Sequence, residues 1–271
     1  MDAGGLGQPA GWRGAWFERL GVAPTARRAR WAGFGRLGVL SARGGERLRA
    51  RAPGVVLGAE PEPGGGRVRF ERSVLRVRVT VGGAVFLGWD GSEPEAGGAA
   101  VNGVREPDGR ATLEPDADSG WRVVSQRVRV VVTRRGEVRL RTPGGVLLRR
   151  DGPPLWWERQ AGGGGPWLLR SELTADARVR NLTRAEAGGG GLGPVQLVVA
   201  AAGSHLVGPG RPLPARLTVR EGSPGAGSGH DRPGRAELRA AGGTPGYWVV
   251  VGSPERVLRD WAALTAGAPH G

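Results

Sequence analysis

Residues 74–81 read Val-Leu-Arg-Val-Arg-Val-Thr-Val, an alternation with a period of two. Leu75, Val77, Val79 and Val81 fall on one side, and Arg76, Arg78 and Thr80 on the other. That pattern predicts a half-buried strand in an antiparallel sheet. Gly82-Gly83 suits a two-residue hairpin turn, and Ala84-Val85-Phe86-Leu87 returns as the partner strand. The same device recurs at 122–125, 128–133, 137–141 and 146–148, with turns at 134–136 and 142–145. Further strands are expected at 177–180, 195–200, 217–220, 236–239 and 247–251. Short strands at this spacing, punctuated by Gly and Pro, argue for an all-β antiparallel sandwich over repeated βαβ units.

Charge enters here because the exposed strand faces are written in arginine. The net charge is +14 and the pI about 11.6, which invites a nucleic-acid reading. Yet no Lys occurs, so Arg supplies the whole positive count. With the richness in Ala, Gly, Pro and Val, this is the composition a GC-rich genome imposes, without selection for phosphate binding. The arginines are expected on solvent faces, keeping the sheet soluble and discouraging edge pairing. A nucleic-acid partner is not expected.

No Cys is present, which excludes disulfides, thiolate metal sites and Cys nucleophiles. The first residues lack a basic stretch followed by an apolar run, and no apolar stretch is long enough to span a membrane. A cytoplasmic protein without a membrane partner is the expectation. The organisation expected is a basic, partly helical or weakly ordered segment at 1–50, a sandwich at 51–252, and a helix with its tail at 253–271. In the first segment Trp12, Trp16, Phe17 and Leu20 have helical spacing, and residues 27–43 form a basic arm. At the end, Ser253 is a good N-cap and Pro254 suits the first helical position. Val257, Leu258, Trp261 and Leu264 then share one apolar face, which must cover the sandwich or bridge to another domain.

The motifs that could carry chemistry are weak. The glycine tract at 188–193 formally contains G-x-G-x-x-G, but it precedes Pro194 and a strand where a dinucleotide site needs a helix. Ser228, His230 and Asp231 are too close in sequence to relay as a triad, and they read as a shaped loop. His205, His230 and His270 lie far apart with no paired spacing, so no metal or other cofactor is assigned, and a structural role is expected for a lone His. Asp90, Asp151, Asp176 and Asp231 are available as carboxylates, but no spacing singles out two that could flank a glycosidic bond. No catalytic residue is assigned. Trp numbers 10 against a single Tyr, and Trp89-Asp90 and Trp156-Trp157 lie at strand ends. Exposed indoles beside a polar group could stack on a sugar, so Trp89, Asp90, Trp156 and Trp157 are the candidate substrate-binding residues; the competing role for the rings is core filling.

Several segments resemble a known family: 64–71 (GGGRVRFE), 75–81, 85–91 (VFLGWDG), 125–128 (SQRV), 151–158 (DGPPLWWE), 194–200 (PVQLVVA), 227–234 and 247–254 (YWVVVGSP). Together they resemble the N-terminal part of actinobacterial α-glucosidases of glycoside hydrolase family 31, over about residues 50 to 268. The resemblance implies a galactose-mutarotase-like β-sandwich that packs on an α/β barrel and lends a loop to the sugar pocket. It implies that the barrel, beginning after a segment like 257–261, supplies both catalytic aspartates. The family also carries Tyr-Gly-Leu-Gly after a segment like 176–179, then a pocket loop; here Arg180-Asn181-Leu182-Thr183 leads through glycines to Pro194. The pocket loop is therefore expected to be missing.

The functional expectation is a truncated relative of such glycosidases that supports or binds carbohydrate and does not hydrolyse it alone. An α-glucoside or oligosaccharide, and a separately encoded catalytic barrel, are the partners implied. The alternative is a stand-alone basic module for nucleic acid or an anionic surface, acting through residues 27–43.

Overall fold

The structure, a computed structural model, describes residues 39–41, 47–93, 105–158, 165–182, 195–209, 215–225 and 230–265. The chain divides into a unit at Met1–Leu37, outside the described residues, and a unit at Gly38–Gly271. The helix expected around Trp12, most of the basic arm, the glycine tract at 188–193 and Ser228 also lie outside them.

Among the described residues, nineteen strands and one α-helix follow in chain order. The first are β1 (Val39–Ser41), β2 (Arg47–Arg51), β3 (Val56–Glu62), β4 (Gly65–Phe70), β5 (Val74–Val79) and β6 (Val85–Trp89). Next come β7 (Thr112–Pro115), β8 (Trp121–Val124), β9 (Arg129–Val132), β10 (Val138–Arg141), β11 (Leu147–Asp151), β12 (Leu155–Glu158) and β13 (Trp167–Leu173). The last are β14 (Arg178–Leu182), β15 (Val195–Ala200), β16 (Gly203–Pro209), β17 (Ala215–Arg220), β18 (Gly234–Ala240) and β19 (Gly246–Gly252), closed by α1 (Pro254–Thr265).

These form two antiparallel sheets. The larger runs β1-β2-β12-β13-β11-β10-β9-β8-β7, with β18 also on β13 and β17 on β18. The smaller runs β14-β15-β16-β19-β6-β5-β4-β3. The expected hairpin and meander are present with their turns, and the two-sheet, all-β expectation holds. Strands β1 and β2 extend the larger sheet into residues 39–50, part of the segment expected to be partly helical or weakly ordered, and join it to Arg51.

The core lies between the sheets and follows strand parity. Leu75, Val77 and Val79 of β5, Val85, Leu87 and Trp89 of β6, and Val130, Val132, Val138 and Leu140 of the meander all point into it. A second cluster lies on the outer face of the smaller sheet, under α1. Phe86, Leu206, Trp248 and Val250 meet Val257, Trp261 and Leu264 there. The helix therefore covers the sandwich, one of the two placements its apolar face allowed. Its start follows the sequence: the Ser253 carbonyl accepts from Val257 N at 2.9 Å and its hydroxyl from Arg256 N at 3.4 Å. Its end is tied by Arg105, whose Nε donates to the Leu264 carbonyl at 2.7 Å.

Because α1 roofs one half of that sheet, β6 is buried on both faces. The other half stays charged outside: Glu62 takes both Arg67 and Arg76. The larger sheet carries the same device. Glu137 bonds Arg139 and, at 2.8 Å, Arg150, while Glu237 bonds Arg170 at 3.0 Å and Arg239 at 2.7 Å. Burial pushes each of these two carboxyls up, but the hydrogen bonds from the paired arginines outweigh it and hold both below the usual range. These outward arginines match the expectation for strand faces. Arg149 is the exception.

Candidate functional site

The four candidate sugar-binding residues occupy different environments. Trp89 ends β6 on the inner face, 0% exposed, with its ring tilted at 37° against Phe70 and 5.6 Å away. Trp156 is stacked on Trp167 at 5.0 Å inside the same core. Trp157, one residue on, is buried on the opposite face of its sheet with Leu155 and Leu168. Asp90 is exposed. Its φ is +46°, and Gly91 follows at +79°, so the pair forms a tight turn closed by Ser92 N donating to the Trp89 carbonyl. Asp and Gly tolerate that left-handed backbone better than most residues. The Asp90 carboxylate accepts from Ser73 Oγ at 2.8 Å and Val74 N at 2.9 Å, which braces the turn against the start of β5. The structure therefore does not bring the four residues into one aromatic cleft; it leaves Asp90 as the one exposed at the surface.

It instead assembles a polar cluster that sequence reasoning missed, deep between the sheets. Asp151 of β11 is 0% exposed and Arg149, two residues back, is 4% exposed. The Arg149 Nε lies 2.9 and 3.0 Å from the two Asp151 oxygens. Ser171 of β13, paired with Asp151 across the strands, donates to Asp151 Oδ1 and accepts from Arg149 Nη2. From the facing sheet, Tyr247 of β19 donates to Asp151 Oδ2 at 2.8 Å. One carboxylate thus joins β11, β13 and β19 across the interior.

Parity explains how an Arg comes to point inward. Leu140 pairs with Arg149, and a register shift between Leu140 and Arg141 lets β11 slip by one residue, so Arg141 pairs with Leu147. Leu140 is a core residue, so its cross-strand partner shares the core face. The signal in the sequence was the lone tyrosine, set two residues before Val249 on an otherwise apolar inner face.

Burial and charge act on two groups here. Burial, reinforced by the Asp151 charge, raises the Tyr247 phenol well above its usual value. His205 of β16 is 2% exposed, in line with the structural role expected of it. Burial and then the charge of Arg149 lower its pKa from 6.5 to about 3. Folded His205 is therefore neutral while the unfolded chain still binds a proton between those values. Stability then rises with pH across that window and is lost as pH falls below about 6.5. Urea unfolding of the native chain should show its midpoint dropping through this range, and His205→Leu should flatten the slope.

Asp151 accepts from three donors and is sealed from solvent, so it serves as an internal tie between the sheets. No group of three or more His, Cys, Asp or Glu among the described residues could hold a metal.

No family model matches the sequence, and no curated protein matches it. Solved structures do match. A dextranase of glycoside hydrolase family 31 (GH31) from Flavobacterium johnsoniae, in complex with isomaltotriose, aligns at 13% identity with a TM-score of 0.55. The match covers 79% of this chain and 28% of the dextranase. The α subunit of glucosidase II aligns at 10% identity and a TM-score of 0.58, over 79% and 34% of the two chains. This chain has a GH31-like fold. The α-1,4-glucan lyase of Gracilariopsis lemaneiformis also matches, at 9% identity and a TM-score of 0.50, over 80% of this chain and 30% of the lyase. The GH31-like chain thus spans about a third or less of the enzymes it matches.

Proposed function

We propose that this chain is an N-terminal, galactose-mutarotase-like β-sandwich of a GH31 α-glucosidase-like protein, which supports an active site built elsewhere. The observation that carries the reading is a likeness over 79% of this chain to enzymes of which it spans only 28% to 34%. The state of the carboxylates supports it. Asp151 is sealed in the core, Glu137 and Glu237 each sit between two arginines, and Asp90 braces a turn. Glycoside hydrolysis needs two carboxyl groups flanking one sugar bond. In this reading the pair belongs to a barrel, in this protein or in a separately encoded chain, and the sandwich contributes rigidity.

Carbohydrate contact, if the domain makes its own, falls to the Asp90 turn, with Trp89 anchoring that turn from the core side. Calorimetry against maltose and isomaltose tests this, using Asp90→Ala as the control because the exposed turn can be changed without opening the core. Binding heat in the native chain that disappears in Asp90→Ala supports the contact. An isotherm unchanged by Asp90→Ala removes Asp90 from the site, and no heat in either protein restricts the domain to support.

A further inference from the structure

The Asp151 cluster leaves one edge of Arg149 unused. Its Nε and Nη2 are engaged, but Nη1 is buried and has no partner among the described residues. His205 is also buried, and both its ring nitrogens lack a partner there. The two residues belong to facing sheets. Arg149 shares the inner face with Asp151. His205 pairs with Val251 and follows the parity of Val207 and Tyr247, both core residues. Strands β11 and β16 approach closely: a Cβ on Gly203 would stand 3.0 Å from Leu148 Cδ2. The charge of Arg149 is felt at the His205 ring.

We propose that Arg149 Nη1 and His205 together hold one internal water, which links the guanidinium to the imidazole across the two sheets. The donor count favours this ligand. A guanidinium only donates, and a neutral imidazole has one N–H and one bare nitrogen. Water can accept from Arg149 Nη1 and donate to the bare nitrogen, giving the guanidinium edge and one of the two ring nitrogens a partner in one step. Buried waters characteristically bridge otherwise unpaired polar groups in this way. A halide would accept from both residues but donate to neither. It would also add a buried negative charge next to Asp151, whose carboxylate already balances Arg149. The groups bonded in the adjoining cluster, Asp151 and Ser171 from the larger sheet and Tyr247 from the smaller one, add no further cation.

The test is magnetic relaxation dispersion of water on the full chain, which counts long-lived internal waters. His205→Leu should lower the count by one, and His205→Gln, whose amide both donates and accepts, should keep it. An unchanged count in His205→Leu overturns the proposal. So does saturable chloride binding by the native chain that is lost in His205→Leu, because that points to an anion. Should His205→Leu fail to fold, the ring-nitrogen resonances of the native chain decide: a hydrogen-bonded acceptor nitrogen is expected, and a free lone pair overturns the assignment.

Discussion

Replacing Asp151 with alanine should destabilise the sandwich by about 3–5 kcal/mol, the usual loss when one partner of a buried ion pair is removed. The substitution strands the Arg149 guanidinium in the core and takes acceptors from Ser171 and Tyr247 at the same time. It also cuts the side-chain tie between β11 and β19. Urea unfolding should show the midpoint fall with the slope unchanged, as for a loss of native stability alone. Glu137→Ala is the contrast. That carboxylate also binds two arginines, but it lies on the outer face, where ion pairs are worth about 1 kcal/mol or less. Pairing Asp151→Leu with Arg149→Met should recover much of the loss, since buried ion pairs replaced by apolar groups of similar volume are often neutral. A loss for Asp151→Ala no larger than for Glu137→Ala would show that the cluster is not buried as described.

Trp261→Ala should be comparably severe, about 3–5 kcal/mol for an aromatic ring deleted from a packed site. Trp261 is 1% exposed and is the largest side chain that α1 itself adds to the cluster with Phe86 and Trp248. Its ring lies flush against Gly208 of β16, where even a Cβ would stand 2.2 Å from Cη2. The ring therefore needs glycine at that position, and Gly208→Ala should cost about 1–3 kcal/mol through overpacking. Losing the ring opens the outer face of β6, β19 and β16, whose Phe86, Trp248 and Leu206 depend on α1 for cover. Hydrogen exchange should show protection lost first in α1 and on those strands, while β9 and β10 keep theirs. Uniform loss across both sheets would mean that the helix is integral to the whole sandwich and not a roof on one half.

The fold was legible wherever one strand face meets water. Leu75, Val77 and Val79 alternate with Arg76 and Arg78 because the core takes one side and solvent the other. The same contrast exposed the meander and the apolar stripe of the terminal helix. It fails for β16 and β13, which show no clean alternation: His205, Leu206 and Val207 are all buried because α1 and the opposite sheet cover both faces. The candidate site was less legible. A Trp-Asp pair at a strand end looks like a sugar platform, yet Val85, Leu87 and Trp89 share a parity that directs the indole inward. Arg149 was hidden by composition. Among so many outward arginines, one residue turned inward by a register shift carries no local mark.

The proposed function, a GH31-like sandwich that supports catalysis without performing it, is open to one direct test. The most direct measurement is release of chromophore from an aryl α-glucoside by the pure, folded chain, with a complete α-glucosidase as the positive control. The account predicts release at the rate of buffer alone, unchanged by Asp90→Ala or Asp151→Asn. Saturable turnover that follows the protein through purification and is lost on replacing one of its own carboxylates would contradict it.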